Sequence, residues 1–201
     1  MKKIGIMGGT FNPIHYGHLL LAESAYEQFN LDSIWIMPNK HPQYKMISSN
    51  ISEEDRVAMI SLAIEGNPHF ILSEEELCRT GATYTVDTLV SLHQKLPDTE
   101  FYFIMGADSL FHFESWREPE RILKLCHILA APRNGQVSAD LDSQMDYLCS
   151  KYDADIHFLD TPNLDISSHG IRKRIRSHRS IKYLLPEAVE QYIMEHRLYW
   201  E

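Results

Sequence analysis

Ile4-Gly5-Ile6-Met7-Gly8-Gly9-Thr10-Phe11-Asn12-Pro13-Ile14-His15-Tyr16-Gly17-His18 is the stretch from which the architecture is read. Ile4–Met7 is a short apolar, partly β-branched run with the composition of a buried strand. A Gly-rich turn follows. Beyond it a helical pattern runs from about Tyr16 to Phe29, with Leu19, Leu20, Ala22, Ala25, Tyr26 and Phe29 apolar. A strand that passes through a turn into a helix is one unit of an alternating chain, so the question is whether the unit recurs.

It does recur. Ile34–Met37 reads as a second strand, halted by Pro38. Ser52-Glu53-Glu54-Asp55 offers an N-cap with acids in the first turn, for a helix that ends near Gly66-Asn67-Pro68. Phe70–Leu72 is a short strand and about Thr85–Lys95 a helix. Phe101–Met105 is a strongly apolar strand closed by Gly106, followed by a short helical segment around Ser109–Phe113. Pro119 suits the first turn of another helix. Ile128–Ala131 and Ile156–Leu159 complete the strands, and two helices close the chain, about Ser168–Ser177 and Pro186–His196. This alternation predicts an α/β fold: a Rossmann-like, doubly wound parallel sheet with helices on both faces and a C-terminal helical segment. At roughly 150 residues per domain, 201 residues predict one domain over 1–201, the helices from about 168 packing onto it. No repeat or low-complexity segment interrupts it; the flexible stretches are expected at Asn39–Asn50 and Asn134–Ala139.

Composition narrows the function classes. With 44% hydrophobic and 23% charged residues the chain is an ordinary globular one, long enough to bury about 70% of its unfolded surface. A net charge of −9 and a pI near 5.6 argue against a protein that coats DNA or RNA, which needs many cations facing the phosphates. The average hides a local reversal. No acid lies between Asp165 and Glu187, where Arg172, Lys173, Arg174, Arg176, Arg179 and Lys182 contribute +6. For most of these a solvated helix face is the plain reading. Cys78, Cys126 and Cys149 are odd in number, widely spaced and without a C-x-x-C, so neither a disulfide framework nor a zinc knuckle is expected, in keeping with a reducing cytoplasm. The longest stretch without Asp, Glu, Lys or Arg, Ile4–Ala22, carries four Gly, a Pro, an Asn and two His and is not read as a membrane span. Lys2 and Lys3 precede an apolar run too short for a signal peptide.

In doubly wound sheets ligands sit beyond the carboxyl ends of the strands, which directs attention to the residues just after them. The first turn has neither G-x-G-x-x-G nor G-x-x-x-x-G-K-[ST]. It has paired glycines that let backbone N–H groups approach a ligand, then His15 and His18, three apart and so on one face at a helix start. Helix N-termini favour anions, and imidazoles there can donate to phosphate oxygens. A bare turn and a histidine metal pair are the alternatives, but zinc needs a third ligand that no nearby Cys/His cluster supplies. Ser167-Ser168 before a helix makes a second phosphate cradle, with Arg172 within reach of it. Gly106-Ala107-Asp108 ends the strongest strand, Asp108 serving either a cap or the crevice.

Gly8-Gly9-Thr10-Phe11-Asn12-Pro13 followed by His15-x-Gly17-His18 resembles the G-G-T-F-[DN]-P-x-H-x-G-H signature of the nucleotidyltransferase superfamily. The rest of the chain resembles one branch of it, the bacterial nicotinate-nucleotide adenylyltransferases. That resemblance implies AMP transfer from ATP to nicotinate mononucleotide with release of pyrophosphate, on the route to NAD. It implies an ATP site at Gly8, Gly9, Thr10, Phe11, His15, His18, Gly106, Asp108, Ser167, Ser168 and Arg172, of which His15, His18 and Arg172 carry the chemistry. Ile166-Ser167-Ser168-His169-Gly170-Ile171-Arg172 matches the family's I-S-S-T-x-I-R, with His169 in place of the threonine. For the mononucleotide it implies Tyr84 and Thr85 of Y-T-x-D-T at a helix start, Trp116 stacked on the nicotinate ring, Arg133, and Lys45 in a phosphate-contacting loop. Arg117 stands where the family commonly has tyrosine, and Gln43 and Tyr44 replace the Pro and His before that lysine. Mg²⁺ is expected as a companion of the ATP phosphates, with no dedicated protein metal site. No nucleic-acid or membrane partner is expected; self-association is a family tendency that the sequence leaves open. A sister nucleotidylyltransferase, such as a pantetheine-phosphate adenylyltransferase, would share both phosphate motifs but would not need Trp116 or the Tyr84 helix start. A non-enzymatic nucleotide-sensing module would bind ATP and release no pyrophosphate.

Overall fold

The computed structural model describes residues 1–40, 51–132 and 137–200. Six strands form one parallel sheet in the order β3-β2-β1-β4-β5-β6. They are β1 (Lys2–Gly9), β2 (Ser33–Pro38), β3 (Phe70–Leu72), β4 (Thr99–Gly106), β5 (His127–Ala131) and β6 (Ile156–Phe158). The helices are α1 (Tyr16–Phe29), α2 (Glu53–Ile64), α3 (Thr85–Lys95), α4 (Pro119–Leu125), α5 (Ala139–Tyr152), α6 (Ser168–Arg176) and α7 (Glu187–Glu195), with a 3₁₀ helix over Ala107–Ser115. The expected doubly wound parallel sheet is the observed one. Its strand order reverses between β1 and β4, which opens a crevice at their carboxyl ends.

Side-chain alternation along the strands builds two cores, one on each face. Ile4 and Ile6 of β1, Met37 of β2, Phe101 and Met105 of β4 and Ile128 of β5 face α3, α4 and α5. Met7, Ile34, Ile36, Ile104 and Leu129 face α1, α2, α6 and α7. Both faces are therefore apolar, and the strands read as continuous hydrophobic runs rather than alternating ones. The C-terminal helices belong to the second face, since Ile171, Ile175, Val189 and Ile193 join the same cluster as Met7 and Ile14.

Differences from the sequence reading have local causes. Helix α5 is one it does not contain, although Ser138 caps the helix by accepting from the Leu141 N–H at 3.2 Å and Leu141 and Leu148 are buried. Its remaining positions are polar enough to blur the period. The expected flexible stretches fall largely on residues 41–50 and 133–136, outside the described residues. Strand β1 runs on through both Gly8 and Gly9, which pair with Met37 and Pro38, so the glycines end the strand rather than form the turn. The turn's left-handed residue is Phe11, at φ 46°.

Gly5 shows how tightly the second face is packed. A Cβ there would lie 2.5 Å from Ile34 Cδ1, 3.0 Å from Leu31 Cδ1 and 3.2 Å from Ile104 Cδ1. Overpacking of this kind costs about 1–3 kcal/mol. Gly5→Ala should therefore lower the melting temperature by roughly 2–12 °C in calorimetry, at 2–4 °C per kcal/mol for a chain of this size. An unchanged melting temperature would mean that the face has slack the packing does not show.

Candidate active site

The segment between β1 and α1 is held by three main-chain carbonyls, each bonded from far along the chain. Arg56 Nη1 of α2 donates to the Thr10 carbonyl at 3.0 Å. Arg172 Nη1 of α6 donates to the Asn12 carbonyl at 2.7 Å, and Ser168 Oγ to the Pro13 carbonyl at 2.8 Å. The Asn12–Pro13 peptide bond is cis. Phe11 is buried, and its ring lies over Gly9, where a Cβ would approach it to 3.0 Å. The second glycine of the pair is thus required by the Phe11 ring.

His15 is the N-cap of α1 and His18 is three residues into the helix. Their rings stack with centroids 3.7 Å apart and planes 26° apart, and Phe11 meets His18 edge-on at 5.1 Å. Gly17 allows the stack, because a Cβ there would stand 3.0 Å from His15 Nδ1. Burial pushes the His15 pKa down to about 4. Burial, and then the neighbouring His15, hold His18 well below the ordinary 6.5. Both are neutral at pH 7. The His15 backbone N–H donates to His18 Nδ1 at 3.3 Å, which leaves that nitrogen unprotonated and places the ring's proton on Nε2. His18 is accordingly a neutral donor with its tautomer fixed by the main chain.

Two cavities flank the end of β4, and Gly106 lies in the wall of both. The first, about 380 Å³, is lined by Gly8, Tyr84, Thr85, Gly106 and Trp116, residues drawn from four separate parts of the sequence. Trp116 stacks on Phe113 (centroids 5.1 Å, 29°) and meets Phe103 edge-on at 6.0 Å. Tyr84 is the N-cap of α3 and gives it no side-chain cap, so the first turn's N–H groups have no capping side chain to serve them. The second cavity, about 400 Å³, runs between Gly17 of α1, Ala131 at the end of β5 and Ser167. A Cβ on Gly106 would meet nothing within 4 Å, so it would project into open space at this junction.

The candidates divide as follows. Gly8, Tyr84, Thr85, Gly106 and Trp116 meet in the first cavity, and Gly106 and Ser167 in the second. Gly9, Thr10, Phe11, His15, His18, Ser168 and Arg172 form the adjoining turn and its anchors and do not line these two cavities. Ser168 and one Arg172 nitrogen are engaged by that turn, and Ser167 Oγ accepts from the Gly170 N–H at 3.1 Å as the N-cap of α6. Asp108 is exposed in the first turn of the 3₁₀ helix. Lys45 and Arg133 lie outside the described residues.

Sequence reading missed Arg56, Asn39 and Glu76, and marked Arg117 only as a departure from the family pattern. Arg56 is fully buried, and its Nε and Nη2 have no hydrogen-bond partner among the described residues. Its signal was one cation on an otherwise amphipathic helix, too common a pattern to stand out. Asn39, Glu76 and Arg117 all line the first cavity. Glu76 is buried, its carboxylate accepting from Thr83 (3.0 Å) and Thr88 (2.9 Å), and burial pushes its pKa up.

The histidines link the site to stability. Unfolded, each takes up a proton near pH 6.5; folded, His15 resists until about pH 4. The unfolded state binds more protons in that interval, so stability is lost as pH falls from about 6.5 to 4. For His15 alone this is about 3 kcal/mol, at 1.4 kcal/mol per pKa unit. A His15→Asn variant should show a flatter fall in melting temperature across that window. A profile as steep as the parent's would contradict the buried, neutral histidine.

Residues 6–174 match the family model described as cytidylyltransferase-like. A protein of Lachnoclostridium phytofermentans named nicotinate-nucleotide adenylyltransferase is 51% identical over 199 residues, 99% of this chain and 100% of its own length. A similarly named protein of Synechococcus sp. (strain JA-3-3Ab) is 43% identical over 98% of this chain and 95% of its own. Among solved structures, Plasmodium falciparum nicotinic acid mononucleotide adenylyltransferase complexed with NaAD shares the fold, with a TM-score of 0.82 at 22% identity over 99% of this chain and 98% of that one.

Proposed function

The chain belongs to the nicotinate-nucleotide adenylyltransferase family, and we propose that it transfers AMP from ATP to nicotinate mononucleotide, giving nicotinate adenine dinucleotide and pyrophosphate. The observation that carries this reading is the meeting of Tyr84, Thr85 and Trp116 with Gly8 and Gly106 in one cavity at the strand-order switch, next to a second cavity at Ser167. Two substrates need two adjoining pockets. The first has an aromatic wall for a planar ring, and the uncapped start of α3 suits a carboxylate. A pantetheine-phosphate substrate would use neither feature.

In this reading a 5′-phosphate oxygen of the mononucleotide attacks the α-phosphorus of ATP in line. The new O–P bond forms as the bond from the α-phosphorus to the pyrophosphate oxygen breaks. The nucleophile is already an anion, so no general base is required. What remains is positioning and neutralisation of charge on the transferring group. His18 donates from Nε2 to an α-phosphate oxygen, and His15, stacked on it, sets its plane. Ser167 and Arg172, at the start of α6, face the departing pyrophosphate, with Ser168 fixing the turn beside them. Lys45 and Arg133 are proposed as phosphate and mononucleotide contacts from the loops that carry them. Mg²⁺ is proposed as a companion of the ATP phosphates. Bound there, it would neutralise phosphate charge. Among the described residues no helix is long and apolar enough to cross a membrane.

Pyrophosphate release with ATP plus each pyridine mononucleotide in turn tests the reading. Nicotinate mononucleotide should be turned over faster than the nicotinamide form, and equal rates would remove the carboxylate-reading role of the Tyr84–Thr85 helix start. His18→Ala should lower kcat by about 10²–10³-fold, the usual loss for one preorganised donor. Turnover near that of the parent would sink the assignment of His18.

A further inference from the structure

The first cavity has one cationic and one anionic side chain in its wall among the described residues, Arg117 and Glu76. Glu76 is turned away from service, because Thr83 occupies its Oε2 and Thr88 its Oε1. Arg117 is not. It leaves the 3₁₀ helix directly after Trp116 and lays its guanidinium over the Tyr84 ring, 4.7 Å from the centroid. That contact places the guanidinium beside the Tyr84–Thr85 helix start. Its ion pairs, to Asp87 at 3.5 Å and to Glu118 at 3.7 Å, are loose and half-exposed. Such contacts are worth little and exchange readily for a better-placed carboxylate.

We propose that Arg117 is a specificity-determining residue, its guanidinium pairing with the carboxylate of the pyridine ring stacked on Trp116. The proposal rests on the nicotinate-mononucleotide reading above. It adds a side-chain cation to a recognition that the helix start alone would leave to main-chain donors. A planar fork on an aromatic ring is rigid and bidentate, and it distinguishes a carboxylate from the neutral amide of the same shape. Asp87 then acts as a placeholder, holding the guanidinium in position until an anion replaces it.

The test compares kcat/KM for nicotinate and nicotinamide mononucleotides in the parent, Arg117→Gln, Arg117→Lys and Asp87→Asn. Arg117→Gln should narrow the ratio of the two by about tenfold, the value of one partly exposed charge-assisted pair. The change should lie in the KM for the nicotinate form, with the KM for ATP staying near the parent's. Arg117→Lys should restore part of the ratio, since it keeps the charge and loses the fork. Asp87→Asn breaks the same ion pair from the other side and should keep or widen the ratio. If it narrows the ratio as far as Arg117→Gln does, the pair only supports the helix start and the proposal falls. A parent that discriminates while Arg117→Gln discriminates equally also overturns it, leaving the function intact. A parent that turns over neither mononucleotide overturns the functional reading and this proposal with it.

Discussion

Three carbonyl groups in the turn after the first strand organise this molecule. Backbone oxygens that do not continue a strand or a helix need donors, and a buried one left alone costs on the order of 1–3 kcal/mol. Thr10, Asn12 and Pro13 find theirs in Arg56, Arg172 and Ser168, residues 46, 160 and 155 positions away. The donors come from α2 and α6, both packed on the same face of the sheet as α1. The shape of the turn, and with it the orientation of His15 and His18, therefore depends on the packing of that whole face. A site described as a local motif is in this sense held by the tertiary structure.

The electrostatics fit a chain with a net charge of −9 that must hold a polyanion. The two central histidines contribute no charge. Burial keeps them neutral, and one backbone N–H selects the nitrogen that carries the proton. A donor of this kind gives direction without the repulsion that stacked imidazolium rings would suffer at 3.7 Å. Formal charge comes from arginines, Arg172 bonded to the turn at Asn12 and Arg117 in the wall of the first cavity.

Much of the architecture was legible because doubly wound sheets repeat one pattern. Short apolar strands of three to eight residues alternating with helical segments leave little choice of class. Ser52 with its three acids is a case in point, and the helix begins where they predict. Helix α5 shows the limit: a proper cap at Ser138, but too few apolar positions for its period to emerge from a polar background. At the site, motif spacing marked the residues that touch the turn and the cavities. It could not say which of them point at a ligand and which hold the scaffold. Ser168 reads as a phosphate donor and is bonded to Pro13; Gly9 reads as room for a ligand at the backbone and is bare to admit the Phe11 ring. Arg56 carried no local signal and Arg117 only a departure from the family's tyrosine, because the meaning of both lies in what folds against them.

The distance between Asn12 and Arg172 also separates two events in the life of the chain. By Phe158 all six strands have been made, and with them both histidines and the wall of the first cavity. The donors to the Asn12 and Pro13 carbonyls come only later, in α6. A chain ending at Phe158 would thus carry every strand and both histidines without the two α6 donors that hold the turn between β1 and α1.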